Sequence, residues 1–414
     1  MGVKGGMVSS YVSGELGKTL MRLLENAEKE MRKRGEEIRG ALLSRIGFVD
    51  GSYVFEERRG ACLALFSAAS LEVVGGEIKA RMRGNKEPVV HVVVPKSYSE
   101  SRIGLLMSIL ELLAAINLLR SGVEAVFLDG SYVSALMMPF GFAQEVYRRF
   151  NREKGAKLSV VEEKGESCFL EVTGSIENGE DWEPRRAFIE VLNIIGRYAG
   201  DLYRDICEAK SDEKALKEAL DFSVVYMEET AYLSALRLLL KTAEDRKSCV
   251  FWVAKDSESR YLTEREGLLG WLSDVMLLDY AWKGLGDVYV ELTGVSFGKP
   301  KGLTACRKLI DEVYDTWNEY SVVYFKLGKA GIVSQMTYPT RVSENKLVDA
   351  LATLSSLSDR LHGYPRPLNY VHNLAVLNPS LPRILADELY KRLKPDDILR
   401  FMLTPSGRRL LGLV

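Results

Sequence analysis

The spacing of apolar and polar positions changes along the chain, and each change marks an element. Residues 16–39 carry Leu20, Leu23, Leu24, Ala27 and Met31 at helical spacing, opposite a face rich in Lys, Arg and Glu, which predicts an amphipathic helix. Strand patterns follow at 46–54, 61–74 and 88–94, and the short turn-rich links between them predict antiparallel neighbours. A long apolar helix over 101–119, a strand over 123–129 and a helix over 141–154 come next. Three antiparallel strands followed by helix, strand and helix describe the first part of a ribonuclease H-like α/β sheet.

Beyond this point, residues 158–174 read as a hairpin turning at Lys164-Gly165, and 185–246 as a helical insertion of two or three helices. A strand at 248–254, a helix at 267–280, strands at 288–297 and 320–327 and a helix at 343–361 complete the alternation. The prolines of Gly363-Tyr364-Pro365-Arg366-Pro367-Leu368 stop one helix and start another that carries His372. The expected fold is α/β: a ribonuclease H-like mixed sheet flanked by helices, with a helical insertion and N- and C-terminal helices. Its parts are an N-terminal helical segment (1–44), the first part of the sheet domain (45–180), the insertion (181–246), the remainder of the sheet domain (247–378) and a C-terminal helix and tail (379–414).

Two of the strands share a pattern. Ile46-Gly-Phe-Val-Asp50-Gly51-Ser52-Tyr53 and Ala125-Val-Phe-Leu-Asp129-Gly130-Ser131-Tyr132 are both apolar runs that end on an aspartate followed by Gly-Ser. Such a run delivers a carboxylate to the rim of a sheet and then turns. Between the copies, the apolar helix bears one acidic residue in its middle, Glu111, and a carboxylate there is costly to bury unless something cationic meets it. Two-metal hydrolysis of a phosphodiester needs clustered carboxylates holding divalent ions about 4 Å apart. Asp50, Glu111 and Asp129 have the order and element types for that cluster, and parallel pairing of the two strands would set the aspartates side by side. Oxygen ligands suit Mn²⁺ or Mg²⁺.

Composition narrows the setting without identifying the chemistry. The 414 residues are 47% hydrophobic and 27% charged, enough for a large core without disulfides or structural zinc. The formal charge of −1 excludes a uniformly basic nucleic-acid coat, so DNA contact would need a localised groove. Five scattered cysteines without a Cys-x-x-Cys pair read as reduced thiols. With no signal-like N-terminus and no apolar run of about 18 residues, a cytoplasmic protein is expected.

The ordered set of FVDGSYV, Glu111 in its apolar helix, VFLDGSY, VAKDS after the insertion and YPRPLNYVH resembles the NurA nucleases of archaea, over about residues 45–378. The resemblance implies a ribonuclease H-like nuclease domain and Mn²⁺-dependent DNA cleavage, with 5′-to-3′ exonuclease and single-strand endonuclease activity. It also implies a homodimer and a partner, the hexameric HerA translocase, in end resection for recombinational repair of double-strand breaks. Matched motif to motif, the metal ligands would be Asp50, Glu111 and Asp129, with Asp256 and His372 completing a site for two Mn²⁺ ions. Around Asp256, the neighbours Lys255, Ser257 and Glu258 are alternatives for the residue pointing inward, and His372 could ligate Mn²⁺ or, when charged, contact the scissile phosphate.

Competing readings remain at this stage. Two strand-turn loops with Asp-Gly could hold nucleotide phosphates, as in an actin-like or sugar-kinase-like ATPase, though that leaves Glu111 unexplained and the loops lack further glycines. A non-catalytic nucleic-acid-binding scaffold on the same fold is a third. Either basic cluster, Arg148, Arg149, Arg152, Lys154 and Lys157 or Lys299, Lys301, Arg307 and Lys308, could line a DNA path or be a solvated face. Tyr53 and Tyr132 could stack on bases or lie in the core. The amphipathic N-terminal helix and the tail Arg408-Arg409-Leu410-Leu411-Gly412-Leu413-Val414 are candidates for docking or dimerisation.

Overall fold

Two long antiparallel strands anchor the sheet in the computed structural model, which describes residues 14–152, 158–177, 182–208, 213–265, 267, 270–302, 304–359 and 362–405. Helix α1 (Glu15–Arg34) and the short β1 (Glu36–Glu37) lead to β2 (Arg45–Glu57), β3 (Cys62–Val74), β4 (Glu77–Met82) and β5 (Val89–Val93). Then come α2 (Ser99–Arg120), β6 (Ala125–Asp129), α3 (Tyr132–Met137) and α4 (Phe142–Arg152). Three long helices, α5 (Leu158–Glu177), α6 (Pro184–Glu208) and α7 (Glu213–Arg246), precede β7 (Cys249–Ala254). The remainder is α8 (Tyr261–Arg265), α9 (Asp274–Ala281), β8 (Val288–Ser296), α10 (Arg307–Thr316), β9 (Glu319–Lys326), β10 (Val333–Pro339), α11 (Thr340–Ser343), α12 (Leu347–Ser356), α13 (Arg366–Ala375), α14 (Leu381–Arg392) and α15 (Ile398–Met402).

The strands form one ten-stranded sheet in the order β1-β8-β9-β10-β7-β6-β2-β3-β4, with β5 also on β3. β2, β6 and β7 run parallel, and the other described pairs are antiparallel. This is the expected mixed α/β sheet of ribonuclease H-like type. Helices cover both faces, so alternate residues of the central strands enter two different cores. Phe48, Phe127 and Phe251 occupy matching positions on β2, β6 and β7 and stack at 5.2 and 5.4 Å between ring centroids, facing α12 and α13. Val49, Val126 and Val250 point the other way, into the core shared with α2 and α5 to α7.

Helix α2 is the one described helix long and apolar enough to cross a membrane, but 72% of that stretch is buried inside the protein, which makes it the central core helix. Each fully buried Leu or Ile on it contributes about 1.5–3 kcal/mol. Its N-terminal turn is fixed by a buried ion pair, Arg102 Nε and Nη2 each 2.8 Å from the carboxylate of Glu228 on α7, while Nη2 also donates to the carbonyl of Val94 at 3.1 Å. A fully hydrogen-bonded pair of this kind fixes geometry more than it adds stability. The pair ties the start of α2 to α7 and to the chain just after β5.

The structure departs from the pattern reading in several places. The segment taken for a hairpin at 158–174 is helix α5. Val161, Cys168, Val172 and Ile176 form its buried stripe, and Gly165 is the point where Tyr226 presses close: a Cβ there would lie 2.5 Å from the Tyr226 hydroxyl. The glycine serves helix packing, not a turn. Strand β10 escaped the pattern because Ser334, Gln335 and Thr337 are buried, with Gln335 and Thr337 satisfied by side-chain hydrogen bonds. Strand β4 and helix α10 were also missed, and the helix expected over 343–361 is split into α11, a short 3₁₀ turn and α12. The tail at 408–414 lies outside the described residues.

Candidate functional site

The parallel ladder between β2 and β6 ends at the pair Val49 and Leu128, so Asp50 and Asp129 are the next residues on each strand. Beyond them the chains part. β6 stops at Asp129 and turns through Gly130, whose φ of +102° is open to glycine at little cost. Ser131 then caps α3, its hydroxyl accepting from the Val133 N–H at 3.2 Å. β2 instead continues to Glu57, with Asp50 paired to Ala69 of β3. The first Asp-Gly-Ser is therefore inside a strand and is not a turn, a correction that also removes one of the two loops the ATPase reading requires. The echoed tyrosines differ as well. Tyr132 is fully buried with its hydroxyl donating to the Trp317 carbonyl at 2.7 Å, so it belongs to the core, while Tyr53 is half-buried.

Glu111 reaches the same place from above the sheet. Gly51 faces α2, and a Cβ on it would lie 2.6 Å from Glu111 Cγ and 2.4 Å from Met107 Sδ. Glycine is required here because α2 packs its acidic residue directly onto the strand. Burial raises the Glu111 carboxyl well above the usual range, and the charges of Asp50 and Asp129 raise it further. Burial and then the Asp129 charge also raise Asp50, against the opposing hydrogen bond from His372.

His372, on α13, places Nδ1 2.7 Å from Oδ2 of Asp50, and the other oxygen of Asp50 accepts from the Gly51 N–H at 2.7 Å. Asp50 is 4% exposed and thus held on both oxygens. One neighbour was missed by the pattern reading. Tyr364 lies close enough for Asp129 and Asp50 to add to the upward shift that burial imposes on its phenol, and its hydroxyl has no hydrogen-bond partner among the described residues. Lys255 Nζ stands 5.0 Å from the centre of its ring. The available signal was its place in the same YPRPLNYVH segment as His372.

Asp50, Glu111 and Asp129 line a cavity of about 260 Å³ together with Gly51, Ser108, Ser131 and Tyr232. Asp256 is not among them. It lies on the loop after β7, in an adjoining cavity, and the groups that shift Asp50 and Glu111 do not include it. Among the described residues no three His, Cys, Asp or Glu side chains form a ready-made cation cage. The carboxylates converge on one space and repel one another through it.

Part of each basic cluster is paired with carboxylates, while Arg148, Lys301 and Lys308 are exposed. Lys299 is bridged to Asp311 and Asp315 at 2.9 and 2.8 Å, and Arg307 to Asp311 at 3.2 Å. Arg149 pairs with Glu145 and Arg148 is exposed, while Lys154 and Lys157 lie outside the described residues.

The donor set tests which ion would suit this cavity. Three carboxylates with one nearby imidazole and no thiolate match a hard divalent cation such as Mn²⁺ or Mg²⁺. Glu111 meets the like charges of Asp50 and Asp129, opposed by the Gly51 N–H, and a cation would relieve that repulsion. The residues fit the group.

Fold and site together define an α/β protein of ribonuclease H-like architecture with an acidic cleft where its parallel strands diverge. The NurA domain model matches residues 44–377, and the chain belongs to the NurA family. It is similar to NurA bound to dAMP and manganese, with 16% identity, a TM-score of 0.67, and coverage of 96% of this chain and 99% of that one. It is similar also to NurA with manganese (16%, 0.64, 94% and 99%) and to the NurA nuclease from Sulfolobus solfataricus (17%, 0.55, 94% and 97%). At these identities the likeness is one of fold. No curated protein sequence matches the chain.

Proposed function

We propose that the chain is a metal-dependent deoxyribonuclease. The observation that carries this reading is the convergence of Asp50, Glu111 and Asp129 on one cavity, with Asp50 tied to His372. In the family, relatives are described as a nuclease and as bound to manganese and dAMP, which supports the same chemistry here. Asp50, Glu111 and Asp129 would hold Mn²⁺, or Mg²⁺, as a pair of ions. When bound, divalent ions lower the pKa of water and neutralise charge that builds up on the phosphate. The protein's own part is positional. His372 and the Gly51 N–H fix both oxygens of Asp50, and Arg102 ties the start of α2, the helix that carries Glu111, to Glu228 of α7.

The finer reading follows the sequence resemblance. It comprises 5′-to-3′ exonuclease and single-strand endonuclease activity, a homodimer, and action beside a hexameric HerA-type translocase in cytoplasmic DNA end resection for homologous recombination. Asp256 remains a proposed further ligand only if it reorients toward the cleft. Incubation with end-labelled single- and double-stranded DNA in Mn²⁺, Mg²⁺ or EDTA tests the reading. Products with metal and none with EDTA are expected; no products with any metal would reject it.

A further inference from the structure

Away from the acidic cleft, β5, α2, α6 and α7 leave a cavity of about 250 Å³ between them, and it shares no described lining residue with the cleft. One of its lining residues is a histidine. His91 lies between Val89 and Val93 on the face of β5 that enters the core of α2, and no described residue hydrogen-bonds to its ring. Burial, and then the charge of Arg102, push the imidazole down to about 4. At pH 7 it is neutral, with one N–H donor and one bare nitrogen.

The rest of the wall limits what can enter. Its charged residues, Arg102 and Glu228, satisfy each other: both carboxylate oxygens accept from the guanidinium at 2.8 Å, and the other bonds of Arg102 go to the carbonyls of Val94, Pro95 and Ser97. A charged occupant would find no counter-ion there. Leu106, Leu192, Ile195 and Leu220 make the wall apolar, and α6 adds Gly196 and Gly200, one turn apart. A Cβ on either glycine would meet nothing within 4 Å, so close packing does not require them. They keep the wall open at a cost in helix stability. The volume exceeds the ~150 Å³ of an apolar cavity that holds benzene. It falls short of the ~300 Å³ at which drug-sized sites begin.

We propose that this cavity is a binding site for a small neutral molecule of one or two fused rings, whose single hydrogen-bonding group meets His91. The occupant joins β5 to α6 and α7 around the start of α2. The inference goes beyond the nuclease reading and does not depend on it, because the two cavities are separate.

The test uses the full chain and indole, a neutral two-ring probe with one N–H. Calorimetric titration should show saturable binding at one site per chain, and Tm should rise as indole is added. Gly196→Leu and Gly200→Leu each place a side chain in the cavity and should abolish binding; a Tm at or above the native value shows that the variant folds. His91→Leu keeps a side chain of similar size and removes its hydrogen bond, so indole should bind about fivefold more weakly. Indole-3-acetate, which adds a carboxylate, should not bind. Absence of saturable indole binding overturns the proposal, as does binding that both filled variants retain. Indole-3-acetate binding as tightly as indole, or equal indole affinity in the native and His91→Leu chains, also overturns it.

Discussion

The Nδ1 atom of His372 stands 2.7 Å from Oδ2 of Asp50, joining α13 to β2 across 322 positions of sequence. The bond fixes the orientation of a carboxylate whose other oxygen is already held by the chain. A partner of this kind is worth about 10- to 100-fold in metal affinity or activity. His372→Ala should therefore lower kcat or raise the Mn²⁺ concentration for half-maximal cleavage by that factor, measured by kinetics across a Mn²⁺ series. Unchanged values of both would contradict the role.

Glu111 gives a prediction about stability. Burial and the charges of Asp50 and Asp129 raise its carboxyl in the folded state. The stability it contributes is complete below the unfolded value near ~4.3 and is lost as pH rises through the higher folded value. Glu111→Gln stays neutral throughout, so without metal its Tm at pH 7 should exceed that of the native chain by about 2 °C or more. The gap should close below about pH 4. Calorimetry at both pH values checks this, and equal Tm values at pH 7 would show that the glutamate is not strained by its setting.

Tyr364→Phe removes one hydroxyl that has no partner among the described residues and stands beside both aspartates. The fold should be unaffected, because no described hydrogen bond is lost. The hydroxyl is buried from solvent, so kcat and Mn²⁺ binding should both be retained, and a fall in kcat of about 10²-fold or more would place the phenol on the reacting phosphate. Full activity in Tyr364→Phe would assign the phenol to packing.

Gly51→Ala tests the contact between α2 and β2. The new methyl would meet Glu111 Cγ and Met107 Sδ at 2.6 and 2.4 Å, which requires both side chains to move. A cost of about 1–3 kcal/mol in urea unfolding is expected, together with loss of cleavage as Glu111 is displaced. Normal stability and activity would mean that the carboxylate has room to spare.

The sequence revealed the parts of the site that depend on period and order. Asp50 and Asp129 fall at matching positions because their strands pair in parallel, and Glu111 stands out because its helix is otherwise apolar. The first Asp-Gly-Ser was misread as a turn because its glycine answers to a tertiary contact with α2, which local pattern does not carry. Gly165 misled for the same reason, since Tyr226 and not a turn dictates it. β10 was hidden because its buried polar residues are satisfied by partners far along the chain. Tyr364 lay within a quoted segment, yet only the return of that segment over β2 and β6 brings it beside two aspartates.

The central claim is that Asp50, Glu111 and Asp129 together hold a divalent ion. Titration of the purified chain with Mn²⁺, followed by the electron paramagnetic resonance signal of the free ion, tests it most directly. The native chain should deplete the free signal, and Asp50→Asn and Glu111→Gln should each leave most of it in solution. Equal depletion by the native and substituted proteins, or none by the native chain, would contradict the claim.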